Sequence, residues 1–295
     1  MRLRVRHQTH YRYRQRAVES YNEVRLKPIS DSFQQCQEFN LRIEPVAEIY
    51  SYQEIGGEVH HFEILSPHST LHIDAISTVH TLRTNPFEDM DFNGTWADLF
   101  RQTQDFAEYL APSRFIHLTE EVAQIAREAR HLSPANAVLH LNQHIHERIA
   151  YQTGVTHVFS TLREVLEARA GVCQDFAHLL IGCCRTLGIP ARYVSGYVYS
   201  GVDNVHLRGE QATHAWAEVL LPNGSWIGFD ATNNLLANDR FIKVHIGRDY
   251  ADVSPTRGVF VGYGTESLQV SVHVDRLEDQ PQSQSQALCC QDHPK

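Results

Sequence analysis

Three side chains in this sequence could together attack an amide: Cys173, His214 and Asp230. Cys173 follows Gly171-Val172 and opens a long apolar run, at what should be the N-terminus of a buried helix. Unpaired N–H groups and the positive end of the helix dipole favour a thiolate there over a thiol. A cysteine nucleophile needs a base, and the base needs a group to orient it. His214 opens the strand-like run Thr213-His214-Ala215-Trp216-Ala217-Glu218-Val219, and Asp230 closes Trp226-Ile227-Gly228-Phe229-Asp230. Taken singly, each has a blander reading: a small core residue, a surface histidine, a turn cap.

The segment between the last two ties them together. Leu221-Pro222-Asn223-Gly224-Ser225 suits a three-residue hairpin loop: Pro at the second position of a type I turn, Asn at the third, Gly left-handed at the fourth. Such a loop pairs Leu221 with Ser225 and hence Trp216 with Asp230, placing His214 and Asp230 diagonally on one face. A two-residue Asn-Gly loop would pair Ala217 with Asp230 and turn the carboxylate away. Nucleophile, base and orienter in that order, with the cysteine on a helix and the others on a hairpin, form the arrangement of papain-like acyl-transfer enzymes.

The elements that must position these residues follow from periodicity. Residues 1–83 read as short alternating segments broken by Lys27-Pro28, Glu44-Pro45, Gly56-Gly57 and Ser66-Pro67, an all-β, sandwich-like domain. Its early arginines (Arg2, Arg4, Arg6, Arg12, Arg14, Arg16) alternate with apolar residues, as on a strand with one wet face. Thr84 to Gly94 is the expected linker. Beyond it, helical spacing follows Thr119 and Ser133-Pro134. A capping box at Thr161–Glu164 starts a third helix, expected to stop near Ala170-Gly171. The fourth runs from Cys173 to Leu187, with Gly188 as a left-handed cap. Strands are expected at 192–199, 214–221 and 225–230, with further β-like sequence at 258–263 and 268–274. Residues 95–276 would form the catalytic domain and 277–295, rich in Gln and Ser, a disordered tail.

Composition narrows the function. With 26 Lys+Arg against 35 Asp+Glu, the net charge of −9 argues against a nucleic-acid groove or an anionic membrane as partner. No apolar run approaches a membrane span, and six irregular cysteines without a C-x-x-C pair fit a reducing compartment, so a cytoplasmic protein is expected. Cys183 and Cys184 read as core; Cys289 and Cys290 fall in the tail. His140 and His144 have i, i+4 spacing, but no H-E-x-x-H occurs, so no metal is expected. Val194-Ser195-Gly196 lacks the leading glycine of a serine-hydrolase elbow, and nucleotide-binding motifs are absent.

Three blocks carry a family resemblance: Gly171-Val172-Cys173-Gln174-Asp175-Phe176-Ala177 with the helix running to Arg192-Tyr193-Val194-Ser195-Gly196-Tyr197, then His214-Ala215-Trp216, then Phe229-Asp230-Ala231-Thr232. In this order they closely resemble the bacterial transglutaminase-like proteins, of cysteine-protease type. The resemblance spans about Thr84 to Val274, and the β-rich start is similar to an N-terminal domain found on many bacterial members. It implies an α+β, papain-like core, Cys173 as nucleophile, His214 as base, Asp230 as orienter, and no metal or organic cofactor. It also implies Tyr151 as an oxyanion donor beside the Cys173 N–H, although an interfacial core tyrosine explains that residue nearly as well. The expected reaction is acyl transfer from an amide or isopeptide bond of a peptide or protein, with water as acceptor. Amine acceptance (cross-linking) and a non-catalytic peptide-binding module are the alternatives.

Overall fold

The computed structural model describes residues 1–201, 207–208 and 213–277. Six strands come first: β1 (Arg2–Ala17), β2 (Glu19–Val24), β3 (Gln34–Glu44), β4 (Ile49–Glu54), β5 (Gly57–Ile64) and β6 (His68–Thr81). Alternation decides their faces: Leu3, Val5, His7 and Thr9 of β1 are buried, while Arg4, Arg6, Arg12, Arg14 and Arg16 are exposed. Tyr13, Val24, Ile43, Phe62, Leu71 and Ile73 form a core drawn from both antiparallel sheets.

Those sheets are completed from the other end of the chain. β14 (Thr256–Val261) pairs with β2, Val259 opposite Tyr21, and β15 (Thr265–Arg276) pairs with β1, Val5 opposite Val274. Leu277 N–H donates to the Arg2 carbonyl at 2.9 Å, holding the strand end; the rest of the expected tail, with Cys289 and Cys290, lies outside the described residues. The expectation that 95–276 forms one unit is therefore corrected, because its last two strands belong to the N-terminal sheets. Their physical role is to cover the edges that β1 and β2 would otherwise expose.

Between these ends the chain builds a helical layer on a second sheet. Its helices are α1 (Trp96–Gln102), α2 (Glu120–Glu128), α3 (Pro134–Arg148), α4 (Leu162–Ala168), α5 (Cys173–Thr186) and the short α6 (Tyr250–Val253). Capping boxes start α1 at Thr95–Asp98 and α4 at Thr161–Glu164. α4 stops at Ala168, two residues earlier than expected, because Arg169 takes the left-handed conformation at φ 50°. The strands are β7 (Ala150–Tyr151), β8 (Ala170–Gly171), β9 (Ala191–Val198), β10 (His214–Leu220), β11 (Trp226–Asp230), β12 (Leu235–Leu236) and β13 (Phe241–Gly247). The main sheet runs β12-β11-β10-β9-β13, all antiparallel. α5 lies buried between this sheet and α2 and α3. Phe176, Leu179, Leu180 and Ile181 are at most 1% exposed, and each contributes about 1.5–3 kcal/mol on burial, so sliding the helix would cost several such contacts.

The two units are joined by a polar lock. The Gln34 amide bonds both backbone groups of Lys243 (2.7 and 2.8 Å), as a strand neighbour would. Lys243 Nζ meets Glu218 at 2.5 Å and Asp31 at 2.9 Å, and Arg192 meets Glu218 at 2.6 Å. Burial would raise the Glu218 pKa, but Lys243 and Arg192 overcome it and hold it below the usual range. Replacing Glu218 with Gln should cost about 3 kcal/mol in chemical denaturation at neutral pH, since two cations lose their buried partner. The lowered pKa makes this contribution full above the unfolded carboxyl value and lost as pH falls through the folded one. The gap between wild type and variant should therefore close in acid; a gap independent of pH would contradict the assignment.

Candidate active site

The nucleophile candidate is held at its helix end by local chemistry. Asp175, in the first turn of α5, accepts the Val172 N–H at 2.8 Å and the Thr156 hydroxyl at 2.6 Å. This fixes the residue before Cys173 at the start of α5. Burial raises the Asp175 pKa against these two bonds. Gly171 makes the approach possible: a Cβ there would stand 2.6 Å from Asp175 Oδ2 and 2.8 Å from its Cβ. Cys173 is partly buried, and its Sγ reaches the open end of β10, 3.9 Å from the Thr213 carbonyl oxygen.

The hairpin has the three-residue loop. Leu220 pairs with Trp226, Leu221 N–H bonds the Ser225 carbonyl at 2.9 Å, and Gly224, at φ +85°, bonds the Leu221 carbonyl at 2.9 Å. Ala217 opposite Phe229 continues the register so that Trp216 faces Asp230, and His214 reaches across the diagonal. Its Nε2 lies 2.8 Å from Asp230 Oδ2, both side chains being fully buried. Nδ1, the remaining ring nitrogen, is buried and has no hydrogen-bond partner among the described residues, which leaves it available to the thiol.

The electrostatics of the pair depend on how completely the carboxylate is satisfied. Asp230 Oδ2 also accepts from the Asn233 side-chain amide at 2.8 Å, and Oδ1 accepts from the Thr232 and Asn233 N–H groups at 3.0 and 3.3 Å. Burial would raise its pKa, yet His214 and Asn233 bring it below the ordinary carboxylate range. For His214, burial acts to lower the pKa; the charge and hydrogen bond of Asp230, and then Cys173, reverse this and raise it to about 10. The carboxylate behind the ring thus favours its protonated form.

Cys173, His214 and Asp230 are therefore brought together. Tyr151 is also adjacent: β7 and β8 pair in parallel with Tyr151 opposite Gly171, and its ring packs near Phe176. Burial first, and the Cys173 charge second, raise the Tyr151 pKa, which keeps its hydroxyl a donor. Thr232 and Asn233 were legible only as a turn, and their part in satisfying Asp230 was not. Tyr193, within the first of the three resemblance blocks, is buried on β9 with a pKa raised by burial and by Cys173; the sequence gives it no role of its own. His178 is no second base: burial lowers its pKa to about 3, and its Nε2 accepts the Tyr250 N–H.

A buried helix carrying a cysteine at its first turn, packed on an antiparallel sheet that carries the histidine and aspartate, is the papain-like α+β architecture. The crystal structure of a proposed cysteine protease from Cytophaga hutchinsonii has the same fold, with a TM-score of 0.72 at 23% identity over 95% of this chain and 93% of that one. The model of the transglutaminase-like superfamily matches residues 122–231, and that of the bacterial transglutaminase-like N-terminal region matches residues 3–80. An uncharacterized protein of Mycobacterium leprae is 34% identical over 94% of this chain and 99% of its own. A protein-glutamine gamma-glutamyltransferase of Pseudomonas aeruginosa is 31% identical over 128 residues, 40% of this chain but 19% of its own. The chain belongs to the transglutaminase-like superfamily, in the bacterial form with an N-terminal region.

Proposed function

We propose that the chain is an acyl-transfer enzyme that cleaves an amide or isopeptide bond of a peptide or protein, with Cys173 as nucleophile and water as acceptor. The observation that carries this reading is the buried His214–Asp230 bond at 2.8 Å, with the Cys173 sulfur 3.9 Å from the carbonyl oxygen of the adjoining residue, Thr213. The sulfur attacks the carbonyl carbon, forming a C–S bond while the carbonyl electron pair moves to oxygen. The oxyanion is received by the Cys173 N–H and the Tyr151 hydroxyl. Collapse breaks the C–N bond as His214 gives its proton to the leaving amine. His214 then takes a proton from water, which attacks the thioester and frees the thiol.

An amine in place of water would make the chain a cross-linker, and the local similarity to the Pseudomonas glutamyltransferase is the observation favouring that second reading. A peptide-library incubation with a labelled amine, comparing wild type with Cys173→Ala by mass spectrometry, separates them. Cleavage or deamidation dependent on Cys173 supports hydrolysis, amine incorporation supports cross-linking, and identical patterns from both proteins reject catalysis. For the oxyanion role, Tyr151→Phe should lower kcat roughly 100-fold with KM little changed. Unchanged kcat would return Tyr151 to a packing role.

A further inference from the structure

The outer helices carry a second convergence of reactive side chains. His140 and His144 lie one turn apart on α3, and Glu128 is the last residue of α2. His144 Nδ1 is 3.3 Å from Glu128 Oε2, and the two imidazole rings are 6.0 Å apart between centroids. One ligand atom from each of the three residues lies within 4.8 Å of the other two. Donors bonded at about 2.0–2.2 Å around a tetrahedral ion stand roughly 3.4 Å apart, so closing the set takes side-chain movement of about 1 Å and no change of backbone. The i, i+4 spacing places both imidazoles on one side of α3, and the third donor comes from another helix, which is why no sequence motif announces it. Glu128 is half exposed, leaving solvent access for a fourth ligand. A cavity of about 520 Å³ adjoins Glu128 and His144 and is lined also by Glu121, Glu147, Arg148 and Arg169.

We propose that Glu128, His140 and His144 form a binding site for a divalent cation of the zinc class, held by two imidazoles and one carboxylate. An ordinary ion pair accounts for His144 with Glu128 but gives His140 no part. Two nitrogens and one oxygen favour Zn²⁺, Co²⁺ or Ni²⁺ over Mg²⁺ or Ca²⁺, which prefer all-oxygen sites. The ion would fasten the end of α2 to α3, and α2 covers α5: Cys183 Sγ on α5 points to the Val122 carbonyl of α2 at 3.9 Å. The site is therefore structural, with no part in the amide chemistry.

The test is titration of Zn²⁺ and Co²⁺ into the metal-free full chain carrying Cys173→Ala, which removes a competing thiol. Calorimetry should show one tight equivalent, visible Co²⁺ absorption should appear, and the melting temperature should rise by about 5 °C at saturating metal. The His140→Ala/His144→Ala variant should lose the absorption and weaken binding roughly 100-fold or more, while the surface change Glu128→Gln, which cannot disturb the core, should weaken it roughly 10-fold. Equal stoichiometry and affinity in the variants, or no thermal shift in the parent, would overturn the proposal.

Discussion

Replacing Cys173 with alanine should lower acyl transfer by roughly 10,000-fold to a million-fold, the range seen when a nucleophile is deleted from a working unit. The fold should survive. Alanine keeps the helix-compatible backbone and removes only a sulfur that is partly exposed, and the cap from Asp175 to Val172 does not involve residue 173. The melting temperature should therefore shift by no more than a few degrees. His214→Ala should cost nearly as much by itself, and adding it to Cys173→Ala should cost almost nothing more, because side chains acting as one unit are not additive. Steady-state rates of the four proteins on any substrate found in the library screen check this. Independent, multiplying losses would show that cysteine and histidine do not act together.

Asp230→Asn should reduce kcat/KM roughly 1,000- to 10,000-fold. Both carboxylate oxygens are acceptors, one for His214 and the Asn233 amide, the other for two backbone N–H groups. Asparagine has one acceptor oxygen, so its NH₂ must face donors on one side or the other: either the His214 ring is forced into the wrong tautomer or two backbone groups lose their partner. The pH profile gives a second reading. Asp230 is the main influence raising the His214 pKa against burial, so removing its charge lets burial pull that pKa down. The alkaline limb of activity, which in wild type should extend towards about pH 10, should move to lower pH in the variant. An unmoved limb would mean that the titrating group is not His214.

Much of this site could be read before any coordinates, and the reasons are local. Pro222-Asn223-Gly224 specifies its own loop through turn chemistry, and the loop sets the register that brings His214 to Asp230. The limits of α5 are written in Cys173 and Gly188, whose φ is +81°. What stayed hidden depends on partners far along the chain. Alternation marks 258–263 and 268–274 as β-like but carries no information about which sheet they join; the answer, β2 and β1, follows from edges near the N-terminus that needed covering. Likewise His140 and His144 were legible as a helical pair, whereas Glu128 comes from another helix. The early end of α4 depends on Arg169 adopting a left-handed backbone that arginine rarely takes.

If His214 and Asp230 make the Cys173 sulfur reactive, alkylation at about pH 6 should single it out. The protein supplies its own controls. Cys183 and Cys184 are fully buried with pKa values raised by burial, and burial also raises that of Cys36. With limiting iodoacetamide and peptide mapping by mass spectrometry, Cys173 should be modified far ahead of these three, and His214→Ala should remove most of that advantage. Modification of Cys173 no faster than that of Cys36, or a rate indifferent to His214, would mean that the histidine does not activate the sulfur.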